Sequence, residues 1–545
     1  MAREPTRHRS HWGWGFEDEQ ASFEEIQSAT AMVGQHLGFS GLSAQRPMPL
    51  REIALAPARI PVSPELVAFC TSDRRARVSH TYGKSYRDLV RGFYGKFDNP
   101  PDVVAFPRTE REIEEVLNWC SDQSLAAIPY GGGTSVVGGV EARLPAGYGG
   151  AVSIDMSALN RVTEVDAVSR AARIQAGASG PQIEQQLSEH GLTLRFFPQS
   201  FELSTMGGWL ATRAAGHFAT GPTHIDDLVE SVRAVTPTGS WESRRLPASG
   251  AGVSPDRMLL GSEGSLGIIT EAWVRVIPKP SFRADKSVSF PDFLTGAQAL
   301  RSIAQAGLQP ANCRFIDAAE ARLNGAGDGR TALLVLGFES ADAPVDQMLT
   351  RALEHCRDAG GRWDDSGSGT VGDAAGSWRE SFIRAPYLRD TLVSIGVLAE
   401  TLESAITWDR LPDFHSRVLH AGHEAITRVC GPGGQITARI THAYPDGAGV
   451  YFTVVAPARR GAEIEQWDQI KLAVSDELIA AGGTITHHHA VGRDHRPWYD
   501  QQRPDVFAAA LSGAKATVDP ASVMNPGVLI DPPASNINVG SEVRT

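Results

Sequence analysis

The stretch LAAIPYGGGTSVVGGV (Leu125–Val140) constrains this chain more than any other. An apolar run with strand character enters three consecutive glycines, Gly131, Gly132 and Gly133, followed at once by Thr134 and Ser135. Backbone without Cβ atoms can turn tightly, approach a ligand closely and aim its N–H groups at an anion. The run is neither a G-x-G-x-x-G motif nor a phosphate loop ending in GK[ST]. Taken alone, it competes with a plain tight turn.

Two further segments have the same texture. PQSFELSTMGGWLATRAAGHFATG (Pro198–Gly221) is dense in Ser, Thr and Gly and almost free of charge. GSEGSLGIITEA (Gly261–Ala272) joins a glycine turn to a β-rich exit. Three separated small-residue loops, each attached to strands, suit a long extended cofactor threaded between two subdomains.

Around them the chain alternates strands and helices. Thr109 is placed to cap a helix whose apolar positions Ile113, Val116 and Leu117 share one face. GAVSIDM and RVTEVDAVSRAARIQAGASG read as strands, and GPQIEQQLSEHG as a helix stopped by Gly191. Pro278 and Pro280 mark a boundary, beyond which a second α+β region begins. AGDGRT and DDSGSGTVGDAAGS read as loops. The expected division is a segment at 1–100, a first domain at 101–280, a second at 281–530 and a tail at 531–545.

With 545 residues, of which 42% are hydrophobic and 21% charged, the chain can bury roughly two to four domain cores. A formal net charge of -12 argues against a general nucleic-acid binder but not against a small phosphorylated ligand. The five cysteines are scattered with no CxxC pair, which predicts neither a zinc site nor a disulfide framework. With no apolar leader and no run of about 18 apolar residues, the expectation is a cytoplasmic protein, with peripheral membrane contact open.

Near the end stands THHHAVGRD (Thr486–Asp494). An internal run inside a strand-like GGTITHHHAVG is not an expression tag. On a strand, His487 and His489 would share one face and His488 the other. A metal would need a further ligand that no nearby pattern supplies, so no metal site is assigned. Structural histidines and active-site histidines remain as readings.

Together the three glycine loops resemble the flavin-binding half of the vanillyl-alcohol-oxidase (PCMH-type) flavoproteins. The resemblance implies an α+β chain: a two-subdomain PCMH-type FAD-binding domain followed by an α+β substrate cap domain. It implies non-covalent FAD, with Pro129, Tyr130, Gly131, Gly132, Gly133, Thr134 and Ser135 at the pyrophosphate. Gln199, Ser200, Ser204, Thr205, Gly208, Thr212 and Arg213 would line the flavin. Glu263, Gly264, Leu266, Gly267, Ile268 and Ile269 would hold the adenosine side, and Asn525 in VMNPG would return to the cofactor.

The segments WGWG, CRFID, PYLRDTL, AETLESAITWDRL, ARITHAYPDGAGVYFTVV and DPASVMNPGVLI, with the triple histidine, are similar to the alkylglycerone-phosphate synthase (alkyl-dihydroxyacetonephosphate synthase) family. That resemblance implies exchange of the acyl chain of acyl-dihydroxyacetone phosphate for a fatty alcohol in ether-lipid synthesis, with the flavin binding the substrate carbon through N5; a bacterial protein is expected. Arg389 would bind the phosphate as a bidentate fork. Tyr451 would be the catalytic tyrosine, His487, His488 and His489 would supply donors or protons, and Arg314 would maintain the flavin site. The bland readings are a surface arginine at 389 and a buried strand tyrosine at 451. Arg439 and Thr441 read as supporting strand residues, and His217 and His224 are assigned no role.

A homodimer acting on a lipid-like or phosphorylated small molecule, with no nucleic acid, is expected. Phe196 and Gln199 stand where the family carries a histidine and an acid, and Ala490 where it carries glycine. An FAD-linked oxidase or dehydrogenase of a 2-hydroxy acid or other alcohol is the alternative, and a flavin-binding protein with a decayed cap is a third.

Overall fold

The computed structural model describes residues 7–364 and 386–532. All but the first residue of DDSGSGTVGDAAGS, and all but the first two residues of the expected tail, lie outside the described residues.

Three sheets organise the chain. In the first, Val103–Ala105, Gly150–Asp155 and Leu125–Tyr130 run parallel, and Cys70–Thr71 adds an antiparallel edge. Five of the six residues of Leu125–Tyr130 are buried, which explains why its sequence is a continuous apolar run and not an alternating one. The helix Glu110–Gln123 covers this sheet. The Thr109 hydroxyl accepts from the Glu112 N–H at its start, and Ile113, Val116 and Leu117 are buried, as the spacing predicts.

The second sheet is antiparallel throughout, in the order Val162–Asp166, Ala171–Gln175, Ile268–Arg275, Val229–Thr236, Gly239–Glu242. After Ile277–Pro278 the chain enters the third, a six-stranded antiparallel sheet. Its order is Phe282–Phe290, Ala332–Ser340, Asn312–Ile316, Gln435–Ala443, Gly447–Pro457, Val397–Thr407.

Period-two alternation sorts this third sheet into two faces. Phe315, Val450, Phe452 and Leu402 share a core with Phe414, Val418, Trp467 and Ile470 of the helices Leu411–Cys430 and Glu463–Ala480. On the opposite face the register sets Arg439, Tyr451 and Glu403 side by side across three strands. Arg314, two residues from Ile316, which pairs with Arg439, faces the same way.

Both ends of the chain are divided between units. Trp12, Tyr86, Leu89, Val90 and Phe93 enter the six-stranded sheet's core, with Trp12 edge-on to Phe93 at 5.2 Å. Leu66, Phe69 and Cys70 pack with the first sheet. Beyond the histidines, Val491 and Val528, Leu529 and Ile530 join the core of the second sheet, while Val523 and Met524 join that of the first. Between Trp12 and Phe93 the chain therefore straps across both units. Trp12→Ala is expected to cost about 3 kcal/mol, the usual penalty for emptying an aromatic core site, read as a lowered denaturation midpoint. An unchanged midpoint would mean the segment only rests on the surface.

Candidate active site

Between the units lies an open-mouthed cavity of about 230 Å³. It is lined by every residue from Pro129 to Ser135, by Gln199, Ser200, Ser204, Thr205, Gly208 and Thr212, and by Glu263, Gly264, Gly267, Ile268, Ile269 and Asn525. Gly133 is left-handed at φ 65°. A Cβ on Gly132 would fall 2.1 Å from the Leu203 carbonyl oxygen, so the first two loops touch only because no side chain intervenes. Two of the predicted cofactor residues do not line the cavity. Arg213 caps the helix Met206–Thr212 in a left-handed conformation and turns outward to Asp226, 2.7 Å away. Leu266 is fully buried in the hydrophobic core beside the loop.

The lining suits FAD. Among the described residues Glu263 is the only acid in it, and its carboxylate is occupied by the Val491 and Gly492 N–H groups at 2.9 and 2.8 Å. Burial pushes the Glu263 carboxyl up to about 7. Thr205 Oγ1 and Asn525 Oδ1 are buried polar atoms without a partner among the described residues, as atoms awaiting a ligand would be. The Asn525 amide donates to the Glu263 and Gly139 carbonyls. Arg9, not singled out from the sequence, donates to the Gly132 and Leu203 carbonyls at 2.8 and 3.2 Å and so clasps two cofactor loops.

The cap side of the cavity carries Arg389, Thr401, Tyr451, His488 and His489. The histidines do not lie on a strand. Residues 484–492 form an irregular turn wrapped around the buried Glu403 carboxylate. Glu403 Oε1 accepts from Thr486 Oγ1 at 2.8 Å and from the backbone N–H groups of His487, His488 and His489 in succession. Consecutive amides of a strand point in opposite directions, so a strand could not make this contact. His488 Nδ1 lies 2.6 Å from Glu403 Oε2. Burial opposes the charge on Glu403, but the facing histidines, His488 and His489 foremost, hold it well below the carboxylate range.

His487 turns away from the cavity. Its Nε2 is 2.8 Å from the Tyr444 hydroxyl and 3.3 Å from His224 Nε2, and its ring centroid is 4.8 Å from that of His442. A bulge between Ile440 and His442 re-aims His442 into this cluster. Nitrogens of His442, His487 and His488 come within 4.8 Å of one another. Both His442 nitrogens are already engaged, by Thr441 Oγ1 and the Gly216 carbonyl, so a metal would have to displace one contact.

Tyr451 is buried, its hydroxyl 3.5 Å from His489 Nε2 and its ring beneath the Arg439 guanidinium at 3.8 Å. Burial raises the phenol's pKa while Arg439 lowers it, and burial holds the His489 imidazole down to about 4. Arg314 does not reach the cavity. It sits buried behind, Nη2 at 3.5 Å from the His217 carbonyl, where burial and then Arg439 lower it to about 9. Arg389 does reach it. Asp390, its neighbour in sequence, is turned onto the Trp14 N–H at 2.6 Å, and Arg389 Nε has no partner among the described residues. Phe196 points into the core, its ring 5.1 Å from that of Trp209, so of the three departures only Gln199 borders the cavity.

Two family models match the chain on either side of the observed boundary: an FAD binding domain over residues 101–243 and the C-terminal domain of FAD linked oxidases over residues 279–529. Fold and site thus define an FAD-dependent enzyme, with FAD as its cofactor. An alkyldihydroxyacetonephosphate synthase of Dictyostelium discoideum is 32% identical over 490 residues, 84% of this chain and 78% of the relative. Its counterpart in Trypanosoma brucei brucei is 28% identical over 491 residues, 85% of this chain and 78% of the relative. A solved structure of alkyldihydroxyacetonephosphate synthase superposes with a TM-score of 0.78 at 27% identity, covering 95% of this chain and 98% of that one. The chain belongs to the alkyldihydroxyacetonephosphate synthase family.

Two substitutions probe this geometry. Arg9→Ala removes two charge-assisted bonds between cofactor loops and is expected to weaken FAD retention about tenfold, measured as flavin released on dilution; undiminished retention would show that the clasp is idle. Ala490 adopts φ 72°, a conformation costing a side chain about 1 kcal/mol. Ala490→Gly should therefore keep or raise the thermal midpoint, and a lowered midpoint would refute the strain.

Proposed function

We propose that this site exchanges the acyl chain of an acylated dihydroxyacetone phosphate for a fatty alcohol, forming an ether bond without net oxidation. The observation that carries the reading is Arg389. Its guanidinium is unclaimed by Asp390 and stands in one cavity with the cofactor loops, Tyr451, His488 and His489. A planar fork of this kind suits a phosphate dianion.

Bound FAD supplies the electron-rich ring that makes exchange at the glycerone carbon possible without net oxidation. The chain's own side chains supply the rest. Arg389 holds the phosphate. Tyr451, with Arg439 against its ring, can donate its hydroxyl hydrogen to His489, whose imidazole is neutral at physiological pH. His488 offers a ring nitrogen to the alcohol.

The reading extends to a cytoplasmic bacterial homodimer with peripheral membrane contact, for which the exposed Val506 and Phe507 would serve. A second reading, oxidation of a 2-hydroxy acid, draws support from a mitochondrial D-lactate dehydrogenase of Arabidopsis thaliana, 26% identical over 476 residues, 81% of this chain and 77% of that one. It also draws on the neutral Gln199 in the cavity. Arg389 would then bind the carboxylate.

Incubation of the FAD-loaded protein with an acylated dihydroxyacetone phosphate and a fatty alcohol, without oxygen, decides between them. Ether and free fatty acid in equal amounts are expected. No ether, but flavin bleaching by a 2-hydroxy acid and recovery with oxygen, would establish the oxidase. Arg389→Ala is expected to raise KM for the phosphorylated substrate at least about tenfold with FAD retained, and an unchanged KM would remove its role. Tyr451→Phe should lower turnover on the order of 100-fold or more with an unaltered flavin spectrum; an active variant would exclude Tyr451 from the chemistry.

A further inference from the structure

The exchange liberates a proton. The alcohol O–H bond breaks, the ether C–O bond forms, and the departing carboxylate keeps the electron pair of the ester C–O bond. One proton per turnover must therefore leave the site. Behind the cavity the structure holds a line of histidine contacts whose hydrogen-bond polarity can be worked out from its outer end.

His224 Nδ1 is 3.2 Å from the Arg213 carbonyl oxygen. A carbonyl only accepts, so Nδ1 bears the hydrogen and Nε2 the lone pair. That lone pair lies 3.3 Å from His487 Nε2, which donates to it when His487 carries its hydrogen on Nε2. In that tautomer His487 Nδ1 is the acceptor, 3.0 Å from His488 Nδ1, which also lies 2.6 Å from Glu403 Oε2. His488 Nε2 is consequently the basic atom of a ring that lines the cavity. One set of tautomers therefore satisfies all three contacts and directs each hydrogen away from the cavity. His224 is half-buried, flanked by the exposed Gly221, Pro222 and Asp227.

We propose that His488, His487 and His224 form a proton exit relay, in which His488 Nε2 takes the alcohol's proton, His487 passes one on, and His224 delivers one to solvent. His487 and His224 never touch substrate. They act through His488 as positioning and relay residues, and the tautomers reset by exchange with water. Tyr444, 2.8 Å from His487 Nε2 and 3.1 Å from Thr223 Oγ1, accepts from the same Nε2–H in this set of tautomers and can pass its own hydrogen to Thr223.

The groups facing the line favour transit over trapping. His442 stands beside His487 with both nitrogens occupied. Asp227 accepts the His224 backbone N–H, and Asp226 is drawn off by Arg213 and Arg257. Burial first, and the neighbouring histidines after it, keep His224, His442 and His487 below the ordinary histidine range. A proton that arrives is therefore not retained.

The inference rests on the exchange reading and is tested beside it. In dilute buffer with a pH indicator, the wild-type holoenzyme should release one proton per ether formed. His224→Gln should slow both proton release and turnover about tenfold, with FAD content and KM for the phosphorylated substrate unchanged, and millimolar imidazole should restore the rate. Full turnover in the variant, or a loss that imidazole leaves untouched, would overturn the relay. Should the wild type form no ether, the exchange reading fails alone, because the histidine ¹⁵N spectrum gives a second readout. The ring resonances of His487 must move in His224→Gln while those of His489 stay, and unmoved His487 resonances would also overturn the relay.

Discussion

The site depends on one buried carboxylate. Glu403 receives three consecutive backbone N–H groups, a threonine hydroxyl and a histidine ring nitrogen. A desolvated charge with no such partners would be strongly destabilising, whereas one that collects them fixes the geometry of everything it touches. The strand register places Glu403 directly across from Tyr451, so a single sheet position sets both the phenol and the histidine turn. Glu263 holds the other end of that turn through Val491 and Gly492. The histidines are thus suspended between a carboxylate of the cap and one in a cofactor loop, which ties the order of the catalytic turn to the order of the cofactor site.

The cap sheet does two jobs with one periodicity. Its apolar face is covered by helices, and its other face presents Arg314, Arg439, Tyr451 and Glu403 toward the cavity side. Such a row of charge is tolerable because its members answer one another. Arg439 pairs with Glu320 and lies on Tyr451, and Glu320 also receives the Thr437 hydroxyl at 2.7 Å. Arg314 is the outer member, depressed by burial and by Arg439, and it shapes the site from behind.

Much of this was legible in the sequence where chemistry and local geometry coincide. Gly131 to Ser135 announce a loop that must approach a ligand closely, and the structure places every one of them on the cavity. Thr109 and its apolar partners announce a helix. What the sequence hid was long-range. Period-two reading made Thr486–Gly492 a strand, because alternation cannot reveal a carboxylate 83 residues away gathering three amides onto itself. Arg213 and Leu266 sat inside cofactor loops by position, yet one turned to Asp226 and the other into the core. Glu403 was not singled out within AETLESAITWDRL, and His224 was assigned no role. Arg9 and Trp14 lay in a segment with no visible partner. Of the three departures, Phe196 proved a core residue against Trp209, so its loss of ionisable character bears on packing more than on chemistry.

The most direct measurement is turnover and cofactor content of Glu403→Gln. Glutamine keeps the shape but presents an amide N–H₂ where amide donors already converge, so the turn must open. The account predicts full FAD content, a normal flavin spectrum and ether formation reduced on the order of 100-fold, not restored by imidazole because the loss is positional. Turnover near that of the wild type would mean that the histidine turn is held by something other than Glu403, and the central claim would fall.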